Sequence, residues 1–360
     1  MARREGERHR LVMVGAGGMA RAWIRRFLPV HANRVEVVAL VDVAPEPLDE
    51  QGDFLGLPAN CRFARMEDAL EVVDADCCAI VIPPIAHRWA VELAAARGIA
   101  VLSEKPLADT WEDSVAVYHA AKVAGIKMQV MQNYRANVPI RTIKQVLRSG
   151  RLGNSHYIVS RFGADYRRRN TWGATFRHEM RHATLIEGSI HHFDQIRNLS
   201  GADCATIAGW EWNPGTPSFD GECLTLYSIR MTNGSFAQYE GTCLAGGWQN
   251  SWHDEYYRVE CEGGAVVVDR DKTVRIYEYE RDRGLRIEEV PPVRAEHTGH
   301  TAVIGHFFDW LDGGPLPPTH LDDNLQSTAM LFGAIEASAR SESVSVAAMV
   351  AEAKTLDSEK

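Results

Sequence analysis

The amino-acid sequence predicts two joined architectures: a doubly wound parallel α/β domain, then an α+β domain with a large, open, mainly antiparallel sheet flanked by helices. Three observations predict it. Short apolar runs alternate with amphipathic segments through the first third of the chain, and parallel strands need crossover connections, so this alternation implies a parallel sheet. Near Arg135 the texture changes to strand-like alternation broken by the turn signals NPG, TNGS and EGG, and strands joined by tight turns pair antiparallel. The 360 residues also exceed what one small core needs. The expected domains are 1–135 and 136–360, with the C-terminal helices packing back toward the first domain.

In chain order, LVMVG reads as a strand and Met19 to Phe27 as a helix. VEVVALVDV is a second strand, followed by a turn at APEP. A helix from Glu67 to Val73 leads to the buried strand CCAIVIPP. The alanine-rich helix Arg88 to Arg97 is followed by IAVLSEKP, a strand ending in a turn. Trp111 to Ala124 is helical, and IKMQVMQNYR closes the parallel series. After a helix from Pro139 to Ser149 come seven strand-like segments, from HYIVSRF to TVRIYEYE. The tail returns to helix, first in AVIGHFFDWL and then from Asn324 to Arg340.

Apolar residues make up 45% and charged residues 24%, an ordinary balance for a folded cytoplasmic protein. The formal charge of −9 disfavours general attraction to nucleic acid or to an anionic membrane. The basic start, MARREGERHR, is followed by an apolar run that Gly15, Gly17 and Gly18 interrupt, so neither a signal peptide nor a membrane span is expected. Seven cysteines without regular spacing imply buried, reduced thiols rather than a disulfide framework or a four-cysteine zinc site.

The sharpest local motif is Gly15-Ala16-Gly17-Gly18-Met19-Ala20, a G-x-G-x-x-A that follows a strand and opens a helix. That context makes it a dinucleotide fingerprint and the first domain a Rossmann domain. Gly15 permits the tight turn, Gly17 lets the backbone approach a pyrophosphate, and Ala20 keeps the helix close to the sheet. The helix N-terminus offers N–H groups and partial positive charge to the phosphates. Asp42 ends the second strand about 22 residues past Ala20, the place of the acid that holds the adenine ribose hydroxyls. A carboxylate there repels a 2′-phosphate, and VAPEPLDE supplies no Lys or Arg to receive one. NAD is therefore expected in preference to NADP.

Three further segments are Ile82-Pro83-Pro84-Ile85-Ala86-His87, Ser103-Glu104-Lys105-Pro106-Leu107 and Glu187-Gly188-Ser189-Ile190-His191-His192-Phe193-Asp194. In this order they resemble the glucose–fructose oxidoreductase / inositol dehydrogenase / MocA family over nearly the whole chain. The resemblance implies that Pro83, Pro84, His87 and Glu104 contact the cofactor, and that Lys105 lies near the nicotinamide and the reacting hydroxyl. It implies His191 as the catalytic histidine and Asp194 as its structural aspartate. Where the family often has Asp four residues before that histidine, this chain has Glu187.

The resemblance implies oxidation of a secondary alcohol in a sugar, sugar acid or inositol, and these residue types suit that oxidation. A histidine, with an ordinary pKa near ~6.5, can accept the hydroxyl proton. A lysine cation stabilises the developing alkoxide. Glu187 can orient the imidazole or touch a substrate hydroxyl. The resemblance also implies an alternative, an NAD-dependent glycosidase that oxidises transiently, eliminates and re-reduces with the same groups, on an acidic sugar for example, so both outcomes stay open; a non-catalytic sensor of NAD or sugar is a third reading.

His178-Glu179-Met180-Arg181-His182 also spells H-E-x-x-H, which on a helix would bind zinc for hydrolysis. Its extended form fails at Leu185 and Gly188, and no metal is expected. Between Asp165 and His182 the arginines Arg167, Arg168, Arg169, Arg177 and Arg181 are interleaved with Tyr166, Trp172 and Phe176. They read either as a solvated face or as a loop in which Trp172 stacks on a sugar and an arginine such as Arg177 clamps an anionic group. Tyr134, Arg135 and His192 are further substrate-pocket candidates. The apolar alternation of strands such as CLTLYSIRM predicts a homodimer or homotetramer through the second sheet.

Overall fold

A computed structural model describes residues 7–252 and 254–355. It divides into two compact units, one taking the chain to Asn133 plus His297–Leu325, the other Tyr134–Glu296 plus the chain from Gln326.

In the first unit six strands form the parallel sheet β3-β2-β1-β4-β5-β6: β1 His9–Val14, β2 Val35–Val41, β3 Arg62–Phe63, β4 Cys77–Ile80, β5 Ala100–Ser103 and β6 Met128–Val130. The order reverses direction beside β1, so a crevice opens at the carboxyl ends of β1 and β4, the usual ligand position in such sheets. The strands read as unbroken apolar runs because both faces are covered: Leu11, Val12, Met13, Cys77, Cys78 and Ala79 are all fully buried. The helix Trp111–Ala124 shows why local signals locate its ends. The Thr110 side chain accepts the Asp113 N–H at its start, and Gly125 takes the left-handed conformation at φ 65° after its end. Helix Gly299–Leu311 belongs to this unit, where His31 Nε2 meets the Thr301 carbonyl at 2.8 Å and Arg34 pairs with Asp309 and Asp312.

In the second unit nine strands form one mixed sheet, β14-β13-β12-β11-β7-β10-β9-β8-β15. They are β7 Ser155–Gly163, β8 Cys204–Trp212, β9 Leu224–Met231, β10 Phe236–Thr242, β11 Tyr256–Cys261, β12 Gly264–Val268, β13 Val274–Glu280, β14 Gly284–Val290 and β15 Val344–Ser345. All named pairs are antiparallel except β7 with β10. Strict alternation buries Thr225, Tyr227, Ile229 and Met231 of β9 on the face covered by helix Ile190–Ser200 and its neighbours. The seven cysteines are unbonded and six are buried, as expected of reduced core thiols.

Several elements differ from the sequence reading. APEP is not a turn: Pro45 opens a helix to Leu55, because a proline's missing N–H is no loss in the first helical turn. The short strands β3 and β15, the hairpin strand β14 and the helix Val346–Thr355 carry too little periodicity to have been read. Among the described residues no helix is long and apolar enough to cross a membrane.

Candidate active site

The expected site residues fall into two groups, one in each unit. In the first, Gly15 has φ 109°, and a Cβ there would stand 2.2 Å from the Val81 carbonyl oxygen, so only glycine fits between β1 and β4. Ala20 is fully buried beneath the loop. A Cβ on Gly17 or Gly18 would meet nothing within 4 Å, so the outer surface of the loop is open, and Gly17 precedes the helix without a side-chain cap. This is an open backbone cradle at a helix start, and it fits a pyrophosphate. Met19, on the first turn, is exposed.

Asp42 sits at the carboxyl end of β2. Its Oδ2 accepts the Ala16 N–H at 2.7 Å and the Gly17 N–H at 3.3 Å, while Oδ1 accepts the Ala44 N–H at 2.8 Å. The carboxylate thus braces the glycine loop as well as presenting negative charge at the crevice. Oδ1, with one donor, keeps a second lone pair with which to receive a ribose hydroxyl.

His87 is fully buried, with Nδ1 2.9 Å from the Pro106 carbonyl oxygen and Nε2 2.9 Å from that of Ile82. Two carbonyl partners favour the imidazolium, but burial outweighs them and holds the pKa below the ordinary value. A neutral ring donates to only one of the two. His87 therefore ties the Ile82–Pro84 turn to the Lys105–Pro106 turn, whose peptide bond is cis. It holds the two turns together.

Glu104 is likewise directed inward. Its Oε1 accepts the indole N–H of Trp23 at 2.9 Å and lies 3.9 Å from His300 Nε2, while Oε2 accepts the Lys105 backbone N–H at 3.3 Å. Burial raises its pKa against the opposing pull of the Lys105 charge. Trp23 stands on the helical run that begins at Gly18, so one carboxylate links the phosphate cradle to the turn bearing Lys105. Lys105 itself is half-buried just past the carboxyl end of β5.

In the second unit, a helical segment Thr184–Ser189 runs into helix Ile190–Ser200 and carries Glu187, His191, His192 and Asp194. The His191 ring stacks on Tyr134, with centroids 4.4 Å apart and planes 6° from parallel. Tyr134 is buried and donates its hydroxyl to Glu255 Oε1 at 3.0 Å. Burial pushes the Tyr134 pKa well up, so it remains a neutral donor. His192 is fully buried, its Nδ1 3.1 Å from the Gly188 carbonyl oxygen and its Nε2 3.8 Å from Glu255. Glu187 Oε2 accepts from Arg177 Nε at 2.7 Å.

Asp194 is fully buried and bound by two arms of Arg135, Nε at 2.7 Å and Nη2 at 2.6 Å. Ser327 donates to it at 2.9 Å and in turn accepts from Arg197. Arg135 was expected at the substrate pocket; its guanidinium is instead spent on a buried carboxylate that needs a paired cation. Trp172 was expected to stack on a sugar. Only 4% of it is exposed, and it stacks on Tyr166 at 4.8 Å, so it packs the loop interior instead of offering a free platform to a sugar.

The cationic segment is mostly self-neutralised. Arg167 pairs with Asp165, Arg169 with Asp220, Arg177 with Glu187 and Arg181 with Glu222. The H-E-x-x-H helix does not form: the helical turn Phe176–Glu179 stops at Met180, whose ψ is 154°, and His182 has φ 56°. His178 is buried between the Trp172 N–H and the Ser218 carbonyl, and Glu179 lies by Arg169. The zinc-protease reading fails on this geometry.

Glu255 went unread in the sequence. It precedes β11 in an irregular stretch with no periodicity to mark it, and only tertiary packing brings it to Tyr134 and His192.

The parallel sheet with its glycine cradle is of the dinucleotide-binding class. Residues 9–132 match the model of an oxidoreductase family with an NAD-binding Rossmann fold, and residues 140–267 match the GFO/IDH/MocA C-terminal domain. The chain belongs to the GFO/IDH/MocA oxidoreductase family. It is 36% identical over 335 residues to an uncharacterized protein, y4oX, of Sinorhizobium fredii, covering 91% of this chain and 93% of that one. It is 24% identical over 330 residues to the D-apiose dehydrogenase of Rhizobium rhizogenes, covering 87% and 91%. A solved oxidoreductase from Agrobacterium radiobacter, in complex with NAD+, L-tartaric acid and magnesium, shares the fold at a TM-score of 0.83 and 21% identity, over 95% of this chain and all of that one.

Proposed function

We propose that this protein is an NAD-dependent dehydrogenase of a secondary hydroxyl in a sugar, sugar acid or inositol. The observation that carries the reading is the anchoring of Glu104 to Trp23, which leaves Lys105 on a fixed turn past the end of β5. A module that only bound a dinucleotide would have no use for a cation held there. Lys105 stabilises the alkoxide as it forms. His191, held flat against Tyr134, takes the hydroxyl proton, and Glu187 sets the polarity around it. The dinucleotide, cradled at Gly15–Ala20 with its ribose on Asp42, supplies the hydride acceptor. A sugar-type substrate is supported by the D-apiose dehydrogenase relative.

The test is to incubate purified protein with NAD and a panel of inositols, neutral and acidic sugars, and their nitrophenyl glycosides. Accumulation of reduced nicotinamide with one class names the substrate. Lys105→Met and His191→Asn are then expected to lower kcat/KM by about 10²- to 10⁴-fold while NAD still binds. Nitrophenol release without lasting reduction would replace this reading by a redox-neutral glycosidase. Binding of NAD with no reaction in either channel would replace it by a sensor.

A further inference from the structure

The second histidine of the failed H-E-x-x-H motif lies in a different cluster. His182, Glu211 of β8 and Glu222, just before β9, each bring one ligand atom to within 4.8 Å of the other two. His182 Nδ1 is 2.5 Å from Glu211 Oε1 and 3.6 Å from Glu222 Oε2. Acidic clusters on a surface are common, but the Glu211 side chain is only 3% exposed. Its other oxygen, Oε2, is buried with no hydrogen-bond donor. An ionised carboxylate with a bare oxygen out of water is costly unless a cation or donor meets it.

We propose that His182, Glu211 and Glu222 form a binding site for a divalent transition-metal ion of the zinc or manganese class. One imidazole and two carboxylates are the nitrogen and oxygen donors such ions take. With a neutral imidazole the three carry a charge of −2, which one divalent ion balances. Arg181 now holds Glu222 Oε1 at 2.7 Å, but its side chain is 73% exposed and can turn into water when the ion binds. On binding, the Nδ1 lone pair goes to the metal and the proton between Nδ1 and Glu211 Oε1 leaves, to Nε2 from a neutral ring or to solvent from an imidazolium, so the bound ring is neutral in either case.

The role of the site is to fasten the chain before Thr184–Ser189 to strands β8 and β9. His182 stands two residues before that segment, which carries Glu187 and leads to His191. Glu179, the water-activating acid of a zinc hydrolase, lies instead beside Arg169, so the site holds structure and performs no hydrolysis.

The test uses the full-length, untagged chain, stripped with chelator and titrated calorimetrically with ZnCl2 and separately with MnCl2. One ion per chain is expected, with a dissociation constant of about 1 µM or tighter for the preferred ion and a higher Tm in its presence. Glu211→Gln is expected to weaken binding by at least about tenfold. His182→Asn serves as the second variant, since asparagine tolerates the left-handed backbone at that position. Addition of CoCl2 to the wild type gives an independent reading: visible ligand-field absorbance that ZnCl2 abolishes. The absence of saturable binding of either ion by the wild type, or equal affinity in wild type and folded variants, would overturn the proposal.

Discussion

The imidazole of His191 lies flat on the ring of Tyr134, 4.4 Å between centroids and 6° from parallel, and the tyrosine is itself held by its hydroxyl on Glu255. A stacked ring fixes two degrees of freedom that a base must control, its tilt and its distance. Tyr134→Phe keeps the stack and loses only the Glu255 contact, so activity is expected to stay within about threefold. Tyr134→Ala frees the imidazole, and a misplacement of about 1 Å lowers the rate by about 10²-fold. The loss should fall on kcat with KM for NAD unchanged. Steady-state kinetics of the two variants check it, and equal loss in both would remove Tyr134 from the positioning of His191.

Asp42 is expected to decide between the two nicotinamide cofactors. Asparagine at this position keeps an oxygen to accept the Ala16 and Gly17 amides, so that hold on the glycine loop survives while the charge and the contact to the Ala44 N–H are lost. A hydrogen bond to a charged group is worth about 1.5–3 kcal/mol, so Asp42→Asn should raise KM for NAD by about 10- to 100-fold. Use of NADP should rise in the same variant, because the repulsion of the 2′-phosphate is gone. Ratios of kcat/KM for the two cofactors measure both effects. An unchanged ratio would show that Asp42 only braces the loop.

Much of this architecture was legible because local rules and tertiary structure agree. Trp111–Ala124 could be read to the residue from Thr110 and Gly125, and the apolar runs of β1, β4 and β5 mark strands covered on both faces. The glycine fingerprint was legible because its backbone demand is local: Gly15 must clear Val81. What escaped depends on partners distant in sequence. The parallel pairing of β7 with β10 joins segments about 80 residues apart. The inward turn of Arg135 toward Asp194, the burial of Trp172 and the place of Glu255 follow from packing that no spacing records. H-E-x-x-H misled because a pentapeptide cannot say whether its helix continues.

The exposed face of the second sheet predicts self-association. Trp210, Trp212, Leu226 and Phe236 are 58%, 41%, 40% and 53% exposed, and Trp210 and Leu226 are register partners on neighbouring strands. Such a row is unfavourable in water. A homodimer or homotetramer is expected by light scattering. Leu226→Lys places a cation on this row opposite Glu240 of β10, which already holds Arg161, and the added charge should give a smaller species. A monomeric wild type would refute the expectation.

Stability should fall on mild acidification, because His87 and His31 are held neutral. Burial lowers the pKa of both, in His87 against the pull of two carbonyls and in His31 against that of the Thr301 carbonyl. The unfolded chain takes up protons near pH ~6.5, where the folded chain does not. Stability is therefore full above that pH and declines as the pH falls toward the lower folded values, by about 1.4 kcal/mol for each unit by which the pKa is depressed. His87→Gln removes one such group. Its Tm at pH 8 should be lower, since the ties to Pro106 and Ile82 are weakened. Its further drop between pH 8 and pH 5.5 should be smaller than in the wild type. Thermal melts at both pH values decide the matter: parallel losses in the two proteins would show that His87 takes its proton as readily folded as unfolded.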